Sequence, residues 1–326
     1  MGARSLATES AGITRAPTLA ATASLGPVDA ARSVPAPAER RQLLTPGRRR
    51  ALFHGLVLAG LLFCAYLFLV AAPSKGTLGF DIYAYWSVRI DDPYHRVLGD
   101  LGFFAYSPPA AVALAPLTLL SWPMAVVAWW VLMVASLVWL GGRSFLVLLA
   151  FPPVAYELYH GNIHLLLAVA IVFGFRYPQA WAFVLLTKVT CGIGLLWFVA
   201  RREWRQLAIS LGTTAAIVGV SFVFMPQQWL DWLALLATNA GGTPVWPALP
   251  IPLWLRLPVA AAVVWWGARR DARWTVPLAA TIAVPVVWVD SLAILAACWP
   301  LRPGGRFGSP TREAPDARRD PIPAAA

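Results

Sequence analysis

The sequence predicts an all-α protein that crosses a membrane several times. Of its 326 residues, 59% are hydrophobic and only 13% are charged, whereas about a quarter of the residues of a soluble domain are charged. The mean hydropathy is +0.65. Many of the 17 tryptophans lie near the ends of apolar runs, as expected of side chains that prefer a membrane interface. This composition excludes an ordinary soluble domain.

The first 50 residues predict a disordered basic tail. They are rich in Ala, Pro, Ser and Thr, and they carry eight arginines against three acidic residues, ending in Arg48-Arg49-Arg50. Because basic residues beside a first span stay in the cytoplasm, we expect a cytoplasmic N-terminus. Residues 302–326 predict a second disordered tail. The net charge of +11 is concentrated in tails and short loops, so it does not indicate a nucleic-acid partner.

Between the tails, residues 51–301 form the predicted transmembrane body. Apolar segments are expected at about 51–72, 108–121, 123–141, 144–158, 162–176, 179–199, 206–225, 250–267, 274–288 and 290–301. Several are shorter than the roughly 20 residues that a perpendicular membrane helix needs. Prolines such as Pro116 and Pro152 predict breaks, so broken, tilted or re-entrant helices are expected.

The charges in the loops indicate how these segments thread the membrane. Two basic loops, around 201–205 and 269–273, should both be cytoplasmic. Ten segments starting from a cytoplasmic N-terminus place both loops and the C-terminal tail on that side. The loop 73–104 then lies on the outer side. This count requires a hairpin within 274–301, with its turn near Trp288-Val289-Asp290.

The loop 73–104 holds the most informative acidic residue of the chain. Asp81 lies in the run Gly-Phe-Asp-Ile-Tyr-Ala-Tyr-Trp that ends at Trp86, just past the first apolar segment. A carboxylate among aromatic rings at a membrane exit can meet a lipid-borne substrate, and long loops often carry function. Asp81 could instead cap a short helix that follows Gly79. The residues alone leave both interpretations open.

Two adjacent acids, Asp91 and Asp92, precede Pro93 in the same loop. The simplest interpretation is a turn, or a helix N-cap with proline at the first helical position. A divalent metal held by both carboxylates is the alternative.

Lys188 is the most unusual of the ionisable residues inside the membrane body, which are costly there and are therefore functional candidates. It lies about ten residues from either end of the segment 179–199. Snorkelling to the interface is the ordinary role of such a lysine, but this depth makes it strained. A buried anion such as a phosphate is the alternative partner.

The other ionisable or polar candidates have simpler explanations as well. Asn162 and His164 begin a span, where such residues most often form hydrogen bonds between helices. Asp290 is either a turn residue or a polar group that faces the outer loop. The remaining candidates in the body are Glu157, His160 and Asp231.

Several other classes of protein find no support in the sequence. No phosphate-binding loop, dinucleotide fingerprint, serine nucleophile elbow or HExxH zinc motif occurs. Cys64, Cys191 and Cys298 lie in apolar runs without metal or disulfide spacing. No internal repeat is evident, and few polar residues lie inside the spans, which disfavours a small-molecule transporter.

Six short runs carry a family resemblance. They are 79–86 with 104–109 and 116–117, then 161–166, 188–190 and 285–290. In this order they resemble glycosyltransferase family 87, the polyprenol-phosphate-mannose-dependent α-1,2-mannosyltransferases of the GT-C membrane fold. The resemblance spans about residues 51–301. It implies a GT-C-like bundle of about nine to ten transmembrane segments with a structured first outer loop.

The resemblance also implies a reaction on the outer face of the cell membrane. The donor is a sugar, most simply mannose, on a polyprenyl phosphate, and the acceptor is a glycolipid or glycan of the cell envelope. An outer-loop acid is the general base in such enzymes. Carried over to Asp81, it would deprotonate an acceptor hydroxyl that attacks the anomeric carbon with inversion.

The resemblance implies substrate-binding residues too. Lys188 is the candidate contact for the leaving phosphate. The further candidates are Tyr83, Trp86, Tyr106, Asn162, His164, Trp288 and Asp290. No cofactor and no metal are expected, because a lipid phosphate leaves as a modest anion.

The chain departs from the family's pattern at three places. Asn162 stands where Gln is usual, Cys191 stands where a proline often follows the lysine, and the region of Trp288 lacks its histidine. The alternative to an active enzyme is therefore a non-catalytic membrane protein of the same fold, acting as a lipid-binding or assembly partner.

Overall fold

All the regular structure of the described residues is helical. The computed structural model describes residues 45–239 and 251–308, so the predicted tail up to residue 44 and the tail from residue 309 lie outside the described residues. The helices are α1 Pro46–Lys75, α2 Phe80–Trp86, α3 Pro108–Leu119, α4 Trp122–Leu149, α5 Pro152–His160, α6 His164–Gly174, α7 Trp181–Thr187, α8 Val189–Ala200, α9 Trp204–Phe224, α10 Pro226–Asn239, α11 Leu253–Arg269, α12 Thr275–Ile282 and α13 Asp290–Leu301. The absence of strands in these ranges confirms the predicted all-α class.

Three of the described helices, α1, α4 and α9, are long and apolar enough to cross a membrane. Helices α5 and α6 make a fourth crossing if they count as one span, although they meet at 114°. This is fewer than the about nine to ten segments expected, because α3, α8 and α13 are apolar but short. The sequence shows where apolar runs lie, but not which of them the chain breaks.

The bend between α5 and α6 shapes the centre of the molecule. Helix α5 ends at His160, and Gly161 follows with φ 75°, a left-handed conformation that suits glycine. A side chain at this position would collide with Ile82 of α2. The chain turns here and restarts at His164, so the polar residues on both sides of the bend come together.

The buried core lies around this bend. Helix α13 packs against both α5 and α6, while α12 packs against α11 and α13. The core side chains are overwhelmingly apolar, and Leu165, Ile171 and Ile294 are fully buried among them. In such surroundings a polar group is stable only if it is hydrogen-bonded or paired.

A buried arginine holds the chain where α12 ends. The guanidinium of Arg256 in α11 donates hydrogen bonds of 2.6 to 2.9 Å to the carbonyls of Ile251, Ile282, Val284 and Pro285. The last carbonyls of a helix have no partner within it, and here the arginine supplies one. The irregular stretch between α12 and α13 is thereby fixed, which gives the start of α13 a defined position.

The ordered body extends further at both ends than the sequence predicts. Helix α1 begins at Pro46, so residues 48–50 form its first turn rather than the end of a disordered tail. Proline suits this turn because the amide hydrogen that it lacks would have no partner there. At the other end, residues 302–308 fold back onto the body, and Phe307 stacks on Trp139.

The loop 73–104 is structured, as predicted, and is tied to the end of α5. The backbone N–H of Gly79 donates to the carbonyl of Tyr159 at 2.9 Å. The hydroxyl groups of Thr77 and Tyr159 lie 2.8 Å apart and are hydrogen-bonded. These contacts set the start of α2 beside the bend.

The acidic pair in this loop forms a turn, and no helix of the described chain begins there. Asp91 is exposed and pairs with Arg89 at 2.7 Å. The hydrogen bond from Arg89 lowers the pKa of Asp91. The turn interpretation of Asp91 and Asp92 is therefore correct, and the partner of Asp91 is an arginine.

Candidate active site

Asp81 lies in the first turn of α2, beside the bend between α5 and α6. Gly79 occupies the N-cap position with φ 72°, so Asp81 is not the capping residue. Its carboxylate is half-buried and accepts a hydrogen bond from the side chain of Asn162. One ligating atom each of Asp81, His160 and Asp290 lie within 4.8 Å of one another.

These surroundings favour the protonated form of Asp81 more than water does. Loss of hydration, followed by the negative charge of Asp290, raises the pKa of Asp81 to about 6. The hydrogen bond from Asn162 acts in the opposite direction. A carboxylate with this pKa is still mostly ionised at neutral pH, and it is a stronger base than an exposed aspartate.

A row of hydrogen bonds lies on the other side of the bend, buried at His164 and Glu157 and partly buried at Lys188. Lys188 Nζ donates to His164 Nε2 at 2.7 Å, and His164 Nδ1 donates to Glu157 Oε2 at 2.8 Å. Glu157 Oε1 accepts the backbone N–H of Leu165 at 3.1 Å. An ammonium can only donate, so this pattern assigns the acceptor role to His164 Nε2. The row fixes the direction of the Lys188 side chain.

The apolar segment 179–199 predicts one continuous helix through Lys188, but the structure has a break there. Helix α7 ends at Thr187, and Lys188 has φ −132° and ψ 80° before α8 begins. The break turns the side chain towards His164 rather than along a helix to the interface, so the snorkelling alternative is wrong.

Asn162 connects Asp81 to a pair of tyrosines. Tyr106 donates to Asn162 Oδ1 at 3.4 Å, and the hydroxyl groups of Tyr106 and Tyr85 lie 3.2 Å apart. The backbone N–H of Ile163 also donates to Asn162 Oδ1, at 2.8 Å. Because the amide oxygen is used in this way, the NH₂ group of Asn162 is directed at Asp81. The predicted ligands Asn162 and Tyr106 thus belong to one network with Asp81.

Asp290 begins α13 and faces this network. Its side chain is 7% exposed, and Oδ2 lies 3.6 Å from Nδ1 of His160, which is too long for a hydrogen bond. Its other oxygen, Oδ1, is buried and has no hydrogen-bond partner among the described residues. Asp290 also lies within 4.8 Å of ligating atoms of Glu157 and His164. It is therefore the residue that the two polar groups of the site share.

The other predicted aromatic ligands, Tyr83, Trp86 and Trp288, have no hydrogen bond to this network among the described residues. Tyr83 and Trp86 lie edge-to-face against Trp122, and the indole N–H of Trp86 donates to the carbonyl of Leu120 at 2.8 Å. Trp288 is 36% exposed in the stretch just before α13.

Some residues of this polar site, and the arginine that supports it, are not apparent from sequence alone. Nothing in the sequence ranks Glu157 and His160 above Asp231, which lies on the exposed helix α10 and accepts a hydrogen bond from a neighbouring glutamine. Arg256 is missed altogether, although a single arginine inside the apolar segment 250–267 was a usable signal. Tyr85 is missed because aromatic residues at helical spacing are usually core residues.

The sequence model of glycosyltransferase family 87 matches residues 104–306 of this chain. This range includes Tyr106, Asn162, Lys188 and Asp290 and begins after Asp81. No curated protein and no solved structure matches the chain.

Proposed function

The chain belongs to glycosyltransferase family 87, and on that premise we propose that it moves mannose from a polyprenyl-phosphate donor to a hydroxyl group of a glycolipid or glycan. The membrane body and the transfer of a sugar follow from the family and the helices. The donor, the sugar and the mechanism are our proposal. The observation that carries the proposal is the position of Asp81 and Lys188, which lie on the two sides of the bend between α5 and α6.

Asp81 is the general base in this proposal. It takes the proton of the acceptor hydroxyl, whose oxygen forms a bond to the anomeric carbon of the donor sugar. The bond from that carbon to the phosphate oxygen breaks, and its electron pair leaves with the polyprenyl phosphate. One displacement inverts the anomeric configuration. The pKa of Asp81, about 6, suits a base that must be ionised before the reaction and hold a proton after it.

Lys188 stabilises the leaving phosphate in this proposal. Negative charge develops on the bridging oxygen as the bond breaks, and a fixed ammonium lowers the energy of that state. His164 and Glu157 hold the ammonium in place through the hydrogen bonds of 2.7 and 2.8 Å. A phosphate would approach Lys188 through donors that His164 leaves unused, since an ammonium has three.

The remaining predicted ligands bind the sugars in this proposal. Asn162 and Tyr106 offer hydrogen-bonding groups next to Asp81. Trp288 offers an exposed ring on which a sugar face can stack. Tyr83 and Trp86 shape the wall that α2 and Trp122 form.

In this proposal, Asp81 and the loop 73–104 lie on the outer side of the membrane. Helix α1 has 30 residues and is about 45 Å long at 1.5 Å per residue, so its two ends lie on opposite faces of a bilayer. The arginines at 48–50 favour the cytoplasm for the first end. The loop 73–104 and Asp81 follow the second end.

A non-catalytic member of the family is the second candidate. The observation that favours it is Asp290, which stands where the resembling motif has a histidine. Such a protein would bind the lipid-linked sugar without transferring it.

Asp81→Asn separates the two candidates. The amide keeps the shape of the side chain but cannot take a proton at neutral pH. In membranes supplied with radiolabelled polyprenyl-phosphate mannose, we expect transfer with the wild type and a loss of at least about 100-fold in Asp81→Asn.

Asp91→Asn is the matched control, because it changes the same charge in the same loop but at an exposed residue paired with Arg89. It should transfer like the wild type. Equal transfer by Asp81→Asn would remove Asp81 as the base. No transfer by the wild type, with several donors and acceptors, would favour the non-catalytic candidate.

A further inference from the structure

One face of the membrane body gathers residues from several helices that lie far apart in the chain. The ring of Trp139 in α4 stacks on Phe173 of α6 at 4.5 Å and on Phe307 at 5.4 Å. Phe175 packs edge-to-face against Trp197 of α8 at 5.3 Å between ring centres. The stretches that follow these aromatic residues therefore share one face with the residues after α13.

The basic loop after α11 belongs to the same face. Arg201 donates a hydrogen bond to the carbonyl of Ala268 at 3.2 Å, and Arg273 donates one to the carbonyl of Phe307 at 3.2 Å. We call this face the arginine-rich face, and it consists of residues 142–144, 175–180, 201–205, 269–274 and 302–308. These stretches carry ten arginines and only two acidic residues.

Two of these arginines correct the predicted threading of the chain. The count of ten segments puts Arg143 and Arg176 on the outer side. In the structure they share a face with the loops 201–205 and 269–273, whose charge predicts the cytoplasmic side. All ten arginines thus lie on one side of the body. A membrane face with this excess of positive charge attracts anionic lipid headgroups.

Arg302 is held at a fixed position on this face. Its guanidinium lies 3.7 Å from the centre of the Trp299 ring, and it donates a hydrogen bond of 2.7 Å to the carbonyl of Trp299. Because tryptophan rings prefer the membrane interface, a guanidinium stacked on one lies near the level of the headgroups. A guanidinium has five N–H donors, and those that Trp299 leaves unused can bind a phosphate.

An apolar cleft opens beside Arg302. Its volume is about 370 Å³, and its apolar walls include Leu148, Trp274, Leu295, Cys298 and Trp299. Among the described residues that line the cleft, Arg302 alone is charged. Apolar walls favour a hydrocarbon chain, and a guanidinium at the rim favours an anion. The cleft therefore fits an amphiphile with an anionic head.

We propose that this cleft binds one anionic phospholipid of the bilayer. The lipid phosphate accepts hydrogen bonds from Arg302, and one acyl chain lies against Leu148 and Leu295. The excess of arginines favours an anionic headgroup over a zwitterionic one. The tail 309–326 is a poorer occupant, because it contains no aromatic residue and Ile322 is its one large aliphatic residue.

The proposed lipid site is separate from the polar site around Asp81. Helix α13 connects the two, since Asp290 is its first residue and Trp299 lies near its other end. A ligand that binds only the folded chain stabilises it, and this lipid does so without contact to the polar site. Its binding therefore does not depend on the proposed sugar transfer.

Lipid binding to the purified protein tests the proposal. The full-length chain is purified in detergent, freed of native lipid and titrated with dioleoyl phosphatidylglycerol or dioleoyl phosphatidylcholine while its Tm is measured. We expect a saturable rise in Tm with phosphatidylglycerol, at concentrations at least about tenfold lower than any rise with phosphatidylcholine. Arg302→Gln should weaken the binding of phosphatidylglycerol by about tenfold or more.

Arg205→Gln is the matched control, because it removes the same charge from the same face at an exposed residue that does not line the cleft. It should bind phosphatidylglycerol like the wild type. Cooperative unfolding of each variant without lipid shows that it is folded. Equal binding of the two lipids by the wild type, or equal binding of phosphatidylglycerol by Arg302→Gln and the wild type, would overturn the proposal.

Photo-crosslinking locates the lipid on the wild-type chain and needs no variant. A phosphatidylglycerol with a diazirine on one acyl chain is activated in phosphatidylcholine vesicles that contain the protein, and the labelled peptides are identified by mass spectrometry. We expect labelling within residues 295–299 that added unlabelled phosphatidylglycerol suppresses. Without labelling there, lipid does not enter the cleft, as when the tail 309–326 covers it, and the proposal is wrong.

Discussion

At the scale of single residues, each side chain of the row Lys188, His164 and Glu157 fixes the next. The hydrogen bonds of 2.7 and 2.8 Å use both nitrogens of the imidazole. Their residue types are visible in the sequence, and Lys188 stands out by its depth in an apolar segment. The sequence could not predict that Lys188 donates a hydrogen bond to His164. This pairing depends on the break after α7 and on the bend before α6.

Lys188→Gln should abolish most of the catalytic rate. The amide keeps a hydrogen-bond donor for His164 but removes the positive charge proposed to stabilise the leaving phosphate. We expect kcat to fall by about 100-fold, measured as sugar transfer in membranes with equal amounts of protein.

Lys75→Gln is the control, because Lys75 is the other lysine of the chain and is exposed at the end of α1. It should leave transfer unchanged. A Lys188→Gln variant with wild-type kcat would show that Lys188 only stabilises the fold.

At the scale of elements, the bend between α5 and α6 and the stretch before α13 decide where the site forms. Apolar runs on both sides of Gly161 are evident from the sequence. The angle of 114° is not, because it depends on the packing of α2 against the turn. The same is true of α13, whose first residue is placed by the hydrogen bonds of Arg256 to the preceding stretch.

Gly161→Ala should destabilise the protein more than Gly76→Ala does. Both glycines have positive φ, 75° and 62°, so both variants carry backbone strain of about 1 kcal/mol. A Cβ at residue 161 also collides with Ile82, whereas a Cβ at residue 76 meets no atom within 4 Å. Overpacking adds about 1 to 3 kcal/mol. Thermal unfolding in detergent measures the difference, and equal Tm values would mean that Ile82 yields without cost.

Arg256→Gln should loosen the stretch between α12 and α13. A glutamine cannot reach four carbonyls, and buried carbonyls without donors destabilise the fold by on the order of 3 kcal/mol in total. Hydrogen exchange of residues 283–289, followed by mass spectrometry, should become faster, and transfer should fall because Asp290 moves. Arg269→Gln, at an exposed arginine over the ring of Trp265, is the control. Unchanged exchange in Arg256→Gln would exclude this bracing role.

At the scale of the whole molecule, the orientation in the membrane determines which substrates can reach the site. Helices α1 and α9 are long enough to cross, and each begins beside a basic cluster. The positions of these basic clusters predict that the loop 73–104 and the start of α9 lie on opposite faces of the membrane.

Cysteine labelling tests this arrangement. A cysteine introduced at Asp92, in the exposed turn of the loop 73–104, should react with a membrane-impermeant maleimide in intact cells. A cysteine at Arg205, in the exposed first turn of α9, should react only after permeabilisation. The wild type, with its three native cysteines, gives the background. The reverse pattern would place Asp81 in the cytoplasm and contradict the proposed donor.

The sequence by itself determined that this is an all-α membrane protein of glycosyltransferase family 87. Composition, apolar runs and the order of short motifs are properties of the sequence, and they can be recognised without knowledge of the packing. Only the tertiary structure decided which polar side chains meet. Asp81, His160 and Asp290 lie far apart in the chain, and they come together because a glycine bend and a buried arginine direct them to one point.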